Sequence, residues 1–283
     1  MKTGITDSAY LYLGSHAAAF ERMKQHGYDC TDYQGFVDTE TPLFAQNAAG
    51  FERILSDIRR DAAQAGIEIY QAHGPWRWPP QDSTPEERAE RFEKMSRSIL
   101  GCQILGCPNF IIHPIMPFGD WQDPDPRALW EMNLEFFSRL CEVALAHNVT
   151  VCFENMPMLA LSLSTPEQIL RFVKEIDSPA MRVCLDTGHC AVFGQSPADA
   201  VRLLGKEYLR AMHVHDNDGR ADRHMLPGEG VIDWEAFALA LAEVGCECPV
   251  SLETCVSGKI PAEERDTAER ALADVAKRLA GQI

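Results

Sequence analysis

Short β-branched runs alternate eight times with long amphipathic stretches, and this alternation restricts the fold more than any other feature of the chain. The runs are KTGIT (2–6), YDCTDY (28–33), IEIYQAH (67–73), NFIIHP (109–114), VTVCFEN (149–155), MRVCLDT (181–187), LRAMHVH (209–215) and PVSLET (249–254). Between them the apolar period lengthens to that of a helix. FERILSDIRRDAAQAG stops on Gly66, a helix-terminating position, and the stretch from Thr84 has a side-chain cap followed by Pro85 at the first helical residue. A last helix is expected from Pro261 to Gly281. No linker or change of composition interrupts the series. The expectation is therefore one α/β domain over residues 1–283, a single (β/α)8 barrel. A doubly wound open sheet would carry a glycine-rich phosphate turn after its first strand, and GITDSAYLYLG is a poor one.

A barrel of this kind collects reactive side chains at the C-terminal ends of its strands, on the side facing the axis. Alternation along each strand says which residues those are. Val151 and Phe153 form the outward set of their run, leaving Cys152 and Glu154 inside. By the same parity Cys184 and Asp186 point inward, as do Ala211, His213, His215, Ser251 and Glu253. His73 and His113 obey the rule on the third and fourth strands. One inward histidine is commonly a satisfied core residue, and one Asp at a strand end is commonly a helix cap. The same parity at the same strand end, repeated five or six times, is not explained that way.

Of the nine histidines, three lie within HVHDNDGRADRH (213–224), a segment that Gly219 keeps from forming a helix face. Its loop is expected to swing Asp222 and His224 back over the mouth. DTGH likewise adds Asp186 and His189, with Gly188 allowing the turn between them. Three carboxylates, Glu154, Asp186 and Glu253, in a partly dry cleft hold either protons or a cation. Neutral imidazoles around them are good metal ligands, and a mixed nitrogen and oxygen set suits Mn2+ or Zn2+, with Co2+, Fe2+ or Mg2+ compatible.

Other classes are disfavoured. The net charge is −16 and no run of Lys or Arg exceeds two, which argues against a nucleic-acid partner. No apolar stretch approaches a membrane span, and MKTGITDSAY has no export signal. Of the ten cysteines, Cys102, Cys107, Cys141, Cys152 and Cys184 fall in apolar periodic segments, and the set reads as buried reduced thiols of a cytoplasmic protein. His16, His26 and His147 fall outside the inward pattern and read as surface or helix residues.

In this order and at these strand ends, several motifs resemble the xylose-isomerase-like TIM barrels, a superfamily that joins sugar isomerases and epimerases with endonuclease IV. They are FEN with Glu154, CLDTGH with Asp186 and His189, HVHDN with His213, DRH with Asp222 and His224, PGEG-x-IDW at 227–234, and LET with Glu253. The likeness runs over essentially the whole chain. In the isomerase and epimerase branch it implies one divalent metal held by Glu154, Asp186, His213 and Glu253. His213 is preferred to His215 because the family pattern is a His followed three residues later by an acid, here Asp216. In the endonuclease branch three zinc ions use a larger set, for which His73, His113, His189, Asp222 and His224 supply counterparts. The loop from His213 to His224 lacks the lysine-bearing segment of the nuclease signature, so the isomerase reading is favoured. A homo-oligomer is also implied by the family.

The chemistry expected is proton transfer beside a sugar carbonyl through an enediolate, with a sugar, sugar phosphate or polyol as substrate. Glu154 and Glu253 act as the acid and base pair, and His189 hydrogen-bonds a substrate oxygen or ligates a second metal. HGPWRWPP places Trp76 and Trp78 where their faces cover a sugar, and His215 is assigned to the substrate. The alternative is a zinc phosphodiesterase acting on abasic DNA.

Overall fold

The computed structural model describes residues 1–119, 125–159 and 162–283. Eight strands alternate with helices in chain order. They are β1 (Thr3–Thr6), α1 (His16–His26), β2 (Cys30–Tyr33), α2 (Ala48–Ala65), β3 (Glu68–His73), α3 (Pro85–Leu105), β4 (Asn109–Ile112) and α4 (Pro126–Ala146). The second half comprises β5 (Thr150–Glu154), α5 (Pro166–Ile176), β6 (Met181–Asp186), α6 (Thr187–Val192), α7 (Pro197–Tyr208), β7 (Leu209–His213), α8 (Trp234–Glu243), β8 (Val250–Leu252) and α9 (Ala262–Gly281). All eight expected strands form, each shorter than or equal to its sequence run. The helix signals act as read. Thr84 and Glu87 make a reciprocal capping box ahead of Pro85, and Gly66 ends α2 in the left-handed conformation at φ 70°.

Every strand pair is parallel, in the order β7-β6-β5-β4-β3-β2-β1-β8. The rim of β7 meets β8 through two main-chain hydrogen bonds: Val214 N–H to the Ser251 carbonyl at 2.9 Å, and Glu253 N–H to the Val214 carbonyl at 3.2 Å. This contact brings the first and last strands of the order together and makes an α/β barrel of the sheet. It also fixes Glu253 beside the end of β7.

Burial follows the parity expected from the strands. Val151, Phe153, Val183, Leu185, Met212, Val214, Val250 and Leu252 join the large apolar shell beneath the helices. Ile111, Cys152, Cys184 and Ala211 form a separate small cluster inside the barrel. That inner plug supports the polar residues one step further along each strand. Nine of the free cysteines are buried, and Cys255 is exposed. No described helix is long and apolar enough to cross a membrane.

Candidate active site

Above the inner plug the strand ends open into a cavity of about 340 Å3, within the usual range for small-ligand sites. Its wall includes His73, His113, Glu154, His189, Asp222, His224 and Glu253, with Trp76 and Trp78 on one side. Trp76 lies edge-on to His113 at 4.4 Å between centroids, while Trp78 is half exposed. Asp186, His213 and His215 are fully buried and lie beneath this wall rather than in it.

Three sub-clusters share the mouth. In the first, Glu154 Oε2 is 3.0 Å from His113 Nε2 and 3.7 Å from His73 Nε2. The two imidazole nitrogens are 3.2 Å apart. In the second, His213 Nδ1 lies 2.7 Å from Glu154 Oε1 and 3.4 Å from Glu253 Oε2. In the third, Asp222 Oδ2 sits between His189 Nε2 at 3.3 Å and His224 Nε2 at 3.1 Å. Asp186 stands apart from His213 and faces His215 instead, Oδ2 to Nε2 at 3.0 Å; His215 in turn is 3.9 Å from Glu253 Oε2. His215, assigned to the substrate from sequence, is covered by the His224 ring at a centroid distance of 4.2 Å.

The orientation of the rings is set from behind. His73, His189 and His224 donate their Nδ1–H groups to the carbonyls of Gly74 (2.9 Å), Asn155 (2.7 Å) and Glu253 (2.6 Å). Each therefore turns Nε2 into the mouth. This is how proteins prepare imidazoles for a metal, because the rear hydrogen bond selects the tautomer. Glu154 Oε2 and His113 Nδ1 have no hydrogen-bond partner among the described residues, and Glu154 is buried. An anionic oxygen with two ring nitrogens at hand and no donor of its own fits a divalent cation.

Charge follows from burial and neighbours. Burial pushes His113 down to about 4, leaving it neutral at pH 7. Burial also opposes charge on His189 and His224, but Asp186 and Asp222 around the first, and Asp222 and Glu253 around the second, outweigh it and raise both to about 10. Burial tends to raise Glu154, yet the His213 and His113 imidazoles hold it well below the usual carboxylate range. Glu253 moves the other way, raised by burial in spite of His213 and His224.

Local structure explains several placements. Asp186 is both a helix cap and a site residue: Oδ1 accepts the His189 N–H at 2.6 Å, and Oδ2 faces His215. Gly188 has a different role from the turn expected of it. It lies in the first turn of α6 without a positive φ, and a Cβ there would overlap the His215 ring. Asp216, buried, gathers the 226–234 loop by accepting from the N–H groups of Gly228, Gly230, Val231 and Ile232 and from Trp234 Nε1. The β7–α8 connection that carries Asp222 and His224 is thus tied down. His26 is buried at the end of α1 and bonded to Tyr10 and Asp266, far in sequence from the mouth residues. Sequence reading missed Asp32, whose Oδ2 is 2.7 Å from His213 Nε2. Parity applied to CTDY, with Tyr33 in the outer shell, would have found it.

Comparison with known proteins agrees with this architecture. A family model described as a xylose isomerase-like TIM barrel matches residues 20–279. Uncharacterized protein MJ1311 of Methanocaldococcus jannaschii is 31% identical over 261 residues, covering 89% of this chain and 83% of that protein. A D-psicose 3-epimerase of Ruminiclostridium cellulolyticum is 32% identical over 240 residues, covering 80% and 79%. A probable endonuclease 4 of Chlorobium luteolum is 34% identical over 131 residues, covering 40% and 47%. Among solved structures, a D-psicose 3-epimerase in the presence of D-fructose superposes with a TM-score of 0.78 at 18% identity, over 99% of this chain and 100% of the other. The IOLI protein with a bound zinc atom gives a TM-score of 0.76 at 18% identity, over 99% and 96%.

Proposed function

Because the chain belongs to the xylose isomerase-like TIM barrel family, we propose that it is a divalent-metal-dependent epimerase or isomerase of small keto sugars. The observation that carries this reading is the pairing of Glu154 and Glu253. Both carboxylates wall one cavity, and both reach the same His213 Nδ1, at 2.7 and 3.4 Å. Their environments push them apart in acidity, Glu154 down and Glu253 up, as an acid and base pair requires. The D-psicose 3-epimerase among the relatives supports a ketose as substrate.

Glu154, Asp186 and Glu253 hold the cation with His215, the imidazole that faces Asp186 and is backed by the Asp216 carbonyl, in place of the His213 read from sequence; the mouth offers His73, His113, His189, Asp222 and His224 for further ions. When bound, a divalent cation supplies electrophilic stabilisation to the substrate oxygens as an enediolate develops. The chain supplies the rest. Glu154, ionised, takes the proton from the carbon beside the carbonyl, and Glu253 delivers one to the opposite face or to the neighbouring carbon. His189, held by Asn155, directs Nε2 at a substrate oxygen, and Trp76 and Trp78 cover the sugar and exclude water. The test is proton NMR of a ketose panel in deuterium oxide with Mn2+-loaded or Co2+-loaded protein. Deuterium at the carbon beside the carbonyl, together with a new epimer or isomer, is expected; a panel that stays fully protonated overturns the assignment.

A second reading, a zinc phosphodiesterase acting on abasic DNA, is favoured by one observation: Asp222 bridges His189 and His224 in the mouth, and His73 and His113 flank Glu154. Three zinc ions per chain with nicking of abasic duplex would establish it in place of the first.

A further inference from the structure

The acids and imidazoles that wall the cavity come from β3 to β8 and the segments that follow them. β2 contributes a group of another kind. Gln34 is the first residue past its end and shares the inward parity of Asp32, with Tyr33 in the outer shell. It lines the same cavity, together with Val37, Met156, Pro157 and Met158. Among the described residues that wall has no Arg, Lys, Ser, Thr or Tyr, so Gln34 is its one carboxamide. In the barrel order β2 lies four strands from β6 by either route, which sets Gln34 across the mouth from Asp186 and His189. Both main-chain groups of Gln34 are committed. Its N–H donates to the buried Asp7 Oδ1 at 3.0 Å, and its carbonyl accepts from the Val37 N–H at 3.1 Å. The side chain is not committed: Nε2 is buried and has no hydrogen-bond partner among the described residues. A buried amide left single is uncommon in a folded protein, and at a cavity wall a ligand is what completes it. The terminal torsion of glutamine is broad, so a small turn presents either N–H or C=O to the cavity.

We propose that Gln34 is a specificity-determining residue that binds the hydroxyl-bearing tail of the substrate, the carbons beyond the one whose proton exchanges. The inference rests on the reading of the cavity as a site for a small keto sugar, and it adds which end of that sugar lies against β2. The carboxylates that move the proton stand at the ends of β5 and β8, with Asp186 at the end of β6. A carbonyl engaged there leaves the rest of the carbon chain directed at the opposite side of the mouth. A carboxamide donates and accepts at once, and so does each hydroxyl of a sugar tail. Val37 and the two methionines beside it limit water, which strengthens a hydrogen bond made there and leaves the amide unpaired when the substrate lacks the hydroxyl.

The experiment uses Mn2+-loaded protein and a shortening series of ketoses: D-psicose, D-ribulose and D-erythrulose, a ketohexose, a ketopentose and a ketotetrose. It reads deuterium exchange at the carbon beside the carbonyl and, by calorimetry, the dissociation constant of each sugar. The parental protein is compared with Gln34→Leu, which keeps the bulk and removes the amide, and with Gln34→Ala. Thermal melts verify folding, and either variant carries the test if the other fails to fold. On D-psicose, Gln34→Leu is expected to lower kcat/KM by about 5–100-fold, mainly through KM, with the dissociation constant weakened to match. The loss is expected to shrink with each carbon removed, to within about 3-fold on D-erythrulose. A loss of equal size on all three ketoses, or parental KM and dissociation constants in the folded variants, overturns the assignment alone. A parental protein that neither binds nor exchanges any of the three overturns the keto-sugar reading and this assignment with it.

Discussion

His73 and His113 face each other through their Nε2 atoms across 3.2 Å. Since His73 donates from Nδ1 to the Gly74 carbonyl, its neutral form has a bare lone pair at Nε2. The contact therefore holds one proton, or a cation in its place, with Glu154 Oε2 3.0 Å from the second ring.

On the proposed cation reading, that geometry makes stability depend on metal. Chelator-treated protein is expected to melt about 5–10 °C lower than protein with Mn2+, Co2+ or Zn2+ at about a hundred times its dissociation constant. Calorimetry with and without chelator reads this directly, and a melting point indifferent to both would contradict the cation reading.

Glu154→Gln keeps the shape of the carboxylate and removes its basicity. The fold is expected to persist while exchange of the substrate hydrogen with deuterated solvent falls at least about 100-fold. Exchange at the parental rate would remove Glu154 from the proton-transfer role.

Asp7, at the end of β1, is fully buried, and burial pushes its carboxyl up to about 7 from an ordinary 3.8. Between those two values the folded chain binds more protons than the unfolded one. The contribution to stability is complete below about pH 4 and is lost as pH rises through about 7. Asp7→Asn has no such loss, so its melting point is expected to gain on the parental one between pH 5 and pH 8. Parallel profiles would show that Asp7 does not titrate there.

Gly188→Ala forces a methyl group against the His215 ring. A loss of about 1–3 kcal/mol in urea unfolding is expected, along with weakened metal uptake as His215 shifts from Asp186. Gly281→Ala, where a Cβ meets nothing within 4 Å, is expected to stay within about 0.5 kcal/mol. Equal behaviour of the two would refute the steric account.

Much of the architecture was legible because a barrel repeats one simple rule. Glu154, Asp186, His213 and Glu253 share a strand-end parity, and all eight strands announced themselves by composition. What escaped depends on contacts between strands. Parity turns Asp32 inward, but its pairing with Gln71 comes through a register shift that no single-strand pattern encodes. Asp216 looked like the acid of a family motif, whereas its carboxylate serves five donors from residues 228 to 234. Gly188 looked like the residue that allows a turn because glycine commonly does so. Its actual constraint is the His215 ring, 27 residues downstream in the chain. Asp186 pairs with His215 in preference to His213 because the two histidines occupy successive levels of β7 and its extension, a difference of height that inward parity does not report.

The seam between Val214 and the stretch from Ser251 to Glu253 has a bearing on biogenesis. Glu253 reaches His213 only after β8 has been threaded in beside β7, so a growing polypeptide that has displayed every histidine of the mouth still lacks a finished binding cup. A polypeptide stopped before β8 lacks the part of the cavity wall that Glu253 supplies, so the last tenth of the chain completes the cup.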